Sequence, residues 1–154
     1  MILNDKEIRE KGIIEPFNEK QLTPNGYDVS VEDLVFMDTV IDSLRGDKDC
    51  YDVAPMTRFI ISTVEKIKLP DNIVGIIKIK SKWARKGLII SDGAIDAGFE
   101  GKLNLCMWNL SNDFVQIEKK VPIVQVLFFK TNPVEKLYAE RSGNYQHLMR
   151  VEIE

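Results

Sequence analysis

The segment Ile95-Asp96-Ala97-Gly98-Phe99-Glu100-Gly101 sets the carboxylate of Asp96 close to glycines. A cationic stretch, Lys80-Ser81-Lys82-Trp83-Ala84-Arg85, lies upstream, and an alternating run over 102–109 lies downstream. Cations and backbone N–H groups can hold a polyphosphate while a carboxylate orients and activates water, which is the equipment for hydrolysing a phosphoanhydride. The same residues also read as a tight turn with a capping Asp, beside a solvated basic loop, because Asp-Gly turns are common.

These residues need a scaffold, and the composition bounds it. The chain has 154 residues, enough for one domain, 1–154, with a sizeable core. Hydrophobic residues make up 44% and charged residues 29%, as in ordinary globular proteins. A net charge of −3 offers no basic field to polymeric nucleic acid or an anionic membrane, so any phosphate site must be local. Two cysteines, Cys50 and Cys106, make no disulfide framework, although spacing alone does not settle whether they pair. The first residues lack the basic flank and apolar run of a signal peptide, and no apolar stretch approaches the roughly 20 residues that span a bilayer. A cytoplasmic protein is expected.

Asn4 and Glu7 are spaced as a capping box for a helix over Asp5 to Lys11 that stops at Gly12. Thr23-Pro24-Asn25-Gly26 is turn chemistry. Strands are expected over 27–31, 34–37, 58–64, 73–79, 102–109, 114–117 and 123–129, with a loop over 42–52. Leu110-Ser111-Asn112-Asp113 reads as a hairpin turn. Trp83 to Lys86 suits one helical turn ended by Gly87. On 102–109, Leu103, Leu105 and Met107 share one face, and Lys102, Asn104, Cys106 and Trp108 the other. About ten short strands and one N-terminal helix imply a mainly β sandwich or barrel. Residues 131–154 are weakly patterned and suit a mobile C-terminal lid.

Five blocks in order then resemble the superfamily of trimeric dUTP diphosphatases and zinc-free dCTP deaminases. Asn25-Gly26-Tyr27-Asp28-Val29 is similar to the first dUTPase motif. Lys80 to Arg85 resembles the second, Ala94 to Gly101 the third, and Val121 to Phe128 the fourth. Ser142-Gly143-Asn144-Tyr145-Gln146, like the N-terminus, resembles the deaminase branch. The resemblance implies a distorted β-barrel or jelly roll, a homotrimer with sites between subunits, and Mg²⁺ as cofactor. It implies Asp96 as the base or orienter of the attacking water. It also implies Lys80, Ser81, Lys82, Arg85 and Gln125 as phosphate-binding residues, and Asp28 as an outer-shell magnesium residue. Phe99 would pack on deoxyribose, the strand carrying Asn104, Cys106 and Asn109 would read the base, and Tyr145 and Gln146 would close as the lid.

Two departures bear on the reaction. The deaminases carry a proton-shuttling glutamate in a Thr-Leu-Glu triplet, and the corresponding triplet here is Asn104-Leu105-Cys106. A neutral thiol is a poor substitute for that carboxylate. One histidine, His147, and the absence of a Cys-x-x-Cys rule out the pattern of the zinc deaminases. Trp108-Asn109 instead fits the dUTPase form of this strand. Lys80 replaces the arginine of the second motif, keeping the charge and losing the bidentate fork. The resemblance thus implies a dUTP diphosphatase releasing dUMP and pyrophosphate by in-line attack at the α-phosphorus. The alternatives are a dCTP deaminase, possibly bifunctional, with Glu100 or Glu118 as candidate acids, and a non-catalytic nucleotide-binding regulator.

Overall fold

The computed structural model describes residues 1–37, 49–141 and 145–149. Helix α1 spans Asp5–Lys11. Asn4 Oδ1 accepts from Glu7 N–H at 2.9 Å, and Glu7 Oε2 accepts from Asn4 N–H at 3.1 Å. Gly12 closes the helix at φ +59°, a left-handed conformation that glycine adopts without penalty.

Eleven strands follow among the described residues: β1 Ile14–Glu15, β2 Leu22–Thr23, β3 Gly26–Phe36, β4 Cys50–Val53, β5 Thr57–Lys68, β6 Ile73–Ile79, β7 Leu88–Ile90, β8 Ala94–Ile95, β9 Glu100–Asn109, β10 Val115–Glu118 and β11 Pro122–Lys130. Short helices α2, Ser81–Ala84, and α3, Tyr138–Arg141, sit between and after them. The main sheet runs β7-β9-β5-β3-β11-β6-β8, with β1 on β5 and β2 on β3, while β10 and β4 form a separate ribbon. It is the curled, half-barrel, mainly β architecture that the strand count implies.

Strand β3 holds the sheet together by changing partners. Its first half pairs with β11 and its second half with β5. Residues 26–31 are buried in succession, as expected of a strand covered on both faces. The sequence reading divides this strand in two, because Glu32 and Asp33 interrupt its apolar run. β9 instead alternates strictly, with Leu103, Leu105 and Met107 in the core and Lys102, Asn104, Cys106 and Trp108 on the partly open face. Burying each such Leu or Met contributes about 1.5–3 kcal/mol, which fixes the register against slippage.

Two expectations are corrected. Residues 110–113 do not close a hairpin, because β10 pairs with β4 and not with β9. The buried Asn109 amide redirects the chain there. It donates to the Val53, Ala54 and Asp113 carbonyls, and its oxygen accepts from Ser111. Residues 50–52 belong to strand β4 and not to a loop, and the expected loop over 42–48 lies outside the described residues. No disulfide joins Cys50 and Cys106. No described helix is long and apolar enough to cross a membrane.

Candidate active site

The expected site residues fall into two groups. The first surrounds a cleft of about 220 Å³ lined by the 91–96 loop and β9. Ile95 and Ala97 point inward, so Asp96 between them points out. Gly75 on β6 allows this edge to close up, since a Cβ there would meet Ile95 Cδ1 at 3.0 Å. Phe99 N–H donates to Asp96 O at 3.1 Å, closing a turn whose Gly98 has φ +84°. A side chain at Gly98 would also collide with Leu137 Cβ, 2.7 Å away. Asp96 makes no side-chain hydrogen bond or ion pair with a described residue, so its carboxylate is open to a ligand.

Phe99 is buried yet lines the cleft, packing edge-on against Tyr138 at 5.8 Å between centroids. Asn104 lines it too, while Cys106 and Asn109 do not. Asn109 spends its amide on the 110–113 turn. The tail docks onto the same wall. Gln146 accepts from Glu100 N–H and donates to Gly98 O, each at 3.2 Å, and Lys102 N–H donates to Leu148 O at 2.9 Å. Tyr145 thereby borders the cleft.

The second group lies at the far end of β6. Lys80 forms an ion pair with the buried Asp28, which faces Gln125 across the β3–β11 ladder. Gln125 donates to Thr23 Oγ1 at 2.9 Å. Ser81 and Lys82 are exposed on α2 and Arg85 at its C-cap, and Lys82 stands 5.1 Å from the Trp83 ring centre. Asp96 lies level with Val74 and Lys80 six residues farther along, about 20 Å at a strand's rise. One chain therefore does not bring the two groups together.

The resemblance also implies Asp28 as an outer-shell magnesium residue. Its Oδ1 is buried without a partner, but its Oδ2 holds the Lys80 ammonium. The described residues contain no group of three His, Cys, Asp or Glu that could hold a metal. A cation already neutralises this lone carboxylate, so the described residues of one chain do not by themselves build a resident Mg²⁺ site.

The sequence pattern assigns no role to four polar residues of the cleft, Ser91, Asp92, Lys102 and Tyr138. Ser91 and Asp92 line it, and an Asp-Gly pair, Asp92-Gly93, was the available signal. Lys102, with its amine 2.5 and 2.6 Å from the Glu32 oxygens, forms part of the floor. Tyr138 came from a tail without periodicity. The two acids considered as deaminase candidates lie elsewhere. Lys66 and Lys68 hold the Glu100 carboxyl below the usual carboxylate range. Glu118 is exposed on the β10–β4 ribbon.

A dCTP deaminase-like family pattern matches residues 2–131. The chain belongs to this family. A dCTP deaminase of Thermococcus kodakarensis is 37% identical over 147 residues, covering 95% of this chain and 92% of the relative. A probable deoxyuridine 5'-triphosphate nucleotidohydrolase of Sulfolobus islandicus rod-shaped virus 1 is 31% identical, covering 95% and 93%. Among solved structures, the dCTP deaminase of Agrobacterium tumefaciens superposes with a TM-score of 0.71 at 18% identity, covering 85% of this chain and 48% of that one. The last similarity speaks to the fold alone.

Proposed function

We propose that this chain deaminates dCTP, releasing dUTP and ammonia. The cleft carries the reading. It offers an aromatic wall at Phe99, a polar floor at Asn104 and exposed carboxylates at Asp92 and Asp96, which suit a pyrimidine deoxynucleoside and proton transfer. Relatives of nearly the same length named dCTP deaminase turn the choice of substrate toward cytosine.

The cationic group around Lys80, Ser81, Lys82 and Arg85, with Gln125, is the natural partner of a triphosphate, but it stands away from this cleft. A second copy of the chain would supply it, so we propose a homotrimer with sites between subunits. Mg²⁺ would enter as the counterion of the triphosphate. Tyr145, which lines the cleft, and Gln146, docked on Glu100 and Gly98, would close over the bound nucleotide.

A second reading is dUTP hydrolysis to dUMP and pyrophosphate, with Asp96 orienting water. Cys106 at the deaminase glutamate position favours it, as does the name of the viral relative. Incubating the protein with dCTP and with dUTP, with and without Mg²⁺, separates the readings. Ammonia from dCTP supports the first. Pyrophosphate from dUTP with no ammonia from dCTP supports the second and removes the first.

A further inference from the structure

We propose that Asp92 is a catalytic residue, the carboxylate that moves protons on the pyrimidine ring in place of the glutamate missing at position 106. The assignment rests on the deaminase reading above. Its basis is the position of Asp92 in the cleft. Ser91 N–H donates to Cys106 O at 2.9 Å, so the 91–92 backbone runs directly beside the residue that stands where the family's deaminases carry their acid. Asp92 is the next residue, and it lines the cleft together with Asn104 and Leu105. The carboxylate lost from β9 is thus matched by one on the loop hydrogen-bonded to it.

Two of the other nearby acids are committed elsewhere, and the third is set apart by position. Glu100 lies between Lys66 and Lys68, and Glu32 gives both oxygens to Lys102. Asp96 lies at the opposite end of the cleft, beside Phe99. Ile77 N–H donates to Gly93 O, and Gly75 pairs with Ile95, so Asp92 stands level with Lys78 and Asp96 with Val74. That separation is roughly 13 Å along the strand. It leaves the base to Asp92 and the sugar to Phe99 and Asp96. Asp92 does have a partner, Lys78 Nζ at 2.6 Å, but their side chains are 58% and 54% exposed. Such a pair is weakly held, and the carboxylate can turn to a ligand.

The chemistry balances with water alone. A water oxygen adds to C4 of cytosine while Asp92 takes its proton and delivers it to N3. The remaining hydroxyl proton then passes through Asp92 to the exocyclic amine. The C4–N bond breaks, ammonia leaves, C4 becomes a carbonyl, and N3 keeps its hydrogen as in uracil.

The test compares the full-length protein with Asp92→Asn, Asp92→Glu and Lys78→Gln, following ammonia release from dCTP and dCTP binding by calorimetry. Asp92→Asn should lower kcat by about a hundredfold or more, as for loss of a general acid–base group, with binding within a few-fold. Asp92→Glu should recover part of the loss, and Lys78→Gln should stay within a few-fold of the parent. If Asp92 served only the surface ion pair, Asp92→Asn and Lys78→Gln would behave alike, with kcat unchanged. A parent that releases ammonia and an Asp92→Asn variant that matches it would overturn the role of Asp92 and leave the deaminase reading standing. A parent that releases no ammonia from dCTP would overturn both.

Discussion

The carboxylate of Glu65 accepts the backbone N–H of Ser30 at 2.7 Å, with both residues buried. It stands where the β5–β9 register breaks between Ser62 and Lys66, and where β3 passes from β11 to β5. A side-chain oxygen there replaces the carbonyl that a regular ladder would supply. Gln21 completes the arrangement, donating to Glu65, to the Asp28 carbonyl and to Ser30 Oγ.

Replacing Glu65 with Leu should therefore destabilise the fold by about 1–3 kcal/mol, since a buried N–H loses its acceptor. Glu65→Gln keeps one acceptor oxygen and should cost less. Denaturant midpoints at constant m-value measure both changes. Equal stability of the Leu variant and the parent would mean that another acceptor moves in.

Acid should weaken the contacts of Glu100. Lys66, and then Lys68, lower its pKa in the folded chain, so the folded state favours the ionised form. That contribution is complete above the ordinary glutamate value of about 4.3, and it is lost as pH falls through the lowered folded-state value. Glu100→Gln should melt lower than the parent near neutrality. Its melting temperature should also fall less between about pH 5 and pH 3. Parallel melting curves across that range would show that the ion pairs seen here do not persist in solution.

Local chemistry was the most legible part of this chain. The Asn4 and Glu7 capping box gives α1 its observed bounds, and the alternation on β9 gives its two faces correctly. Both are short-range signals. The partner exchange of β3 was not legible, because burial on both faces erases alternation and the Glu65 contact joins positions distant in sequence. The direction of the chain after Asn109 depends on an amide reaching Val53 and Ala54, which no local pattern announces. Within the site, Asp96 and Phe99 were found through a motif. Asp92 and Tyr138 reach the cleft through pairing and tail docking.

Asp96→Asn separates the two candidate reactions. If Asp96 orients the water that attacks phosphorus, the substitution should lower kcat for pyrophosphate release from dUTP at least about a hundredfold, with nucleotide binding within about tenfold. Ammonia release from dCTP should fall much less in kcat, because the ring chemistry lies at the other end of the cleft. Stopped-time assays of both products on one preparation provide the comparison. Equal losses confined to KM would make Asp96 a nucleoside-binding residue.

Phe99 should set the preference for deoxyribose. Its ring lines the cleft and packs edge-on against Tyr138, so it has little freedom to retreat. A 2′-hydroxyl brought against that ring would lose its water contacts and gain no partner, which disfavours the ribonucleotide. Phe99→Ala should open this space and narrow the dCTP-to-CTP ratio in kcat/KM, or the dUTP-to-UTP ratio if hydrolysis is the reaction. Phe99 is also a core residue, and truncating a buried Phe costs about 3–5 kcal/mol, so kinetics must be read only on protein shown to be folded by its melting transition. Phe99→Leu keeps most of the volume and should shift the ratio in the same direction by a smaller amount. Tyr138→Ala, which removes this contact and leaves the Phe99 ring, should also narrow the ratio. Ratios unchanged in all three folded variants would confine Phe99 to the core and place sugar recognition elsewhere in the cleft.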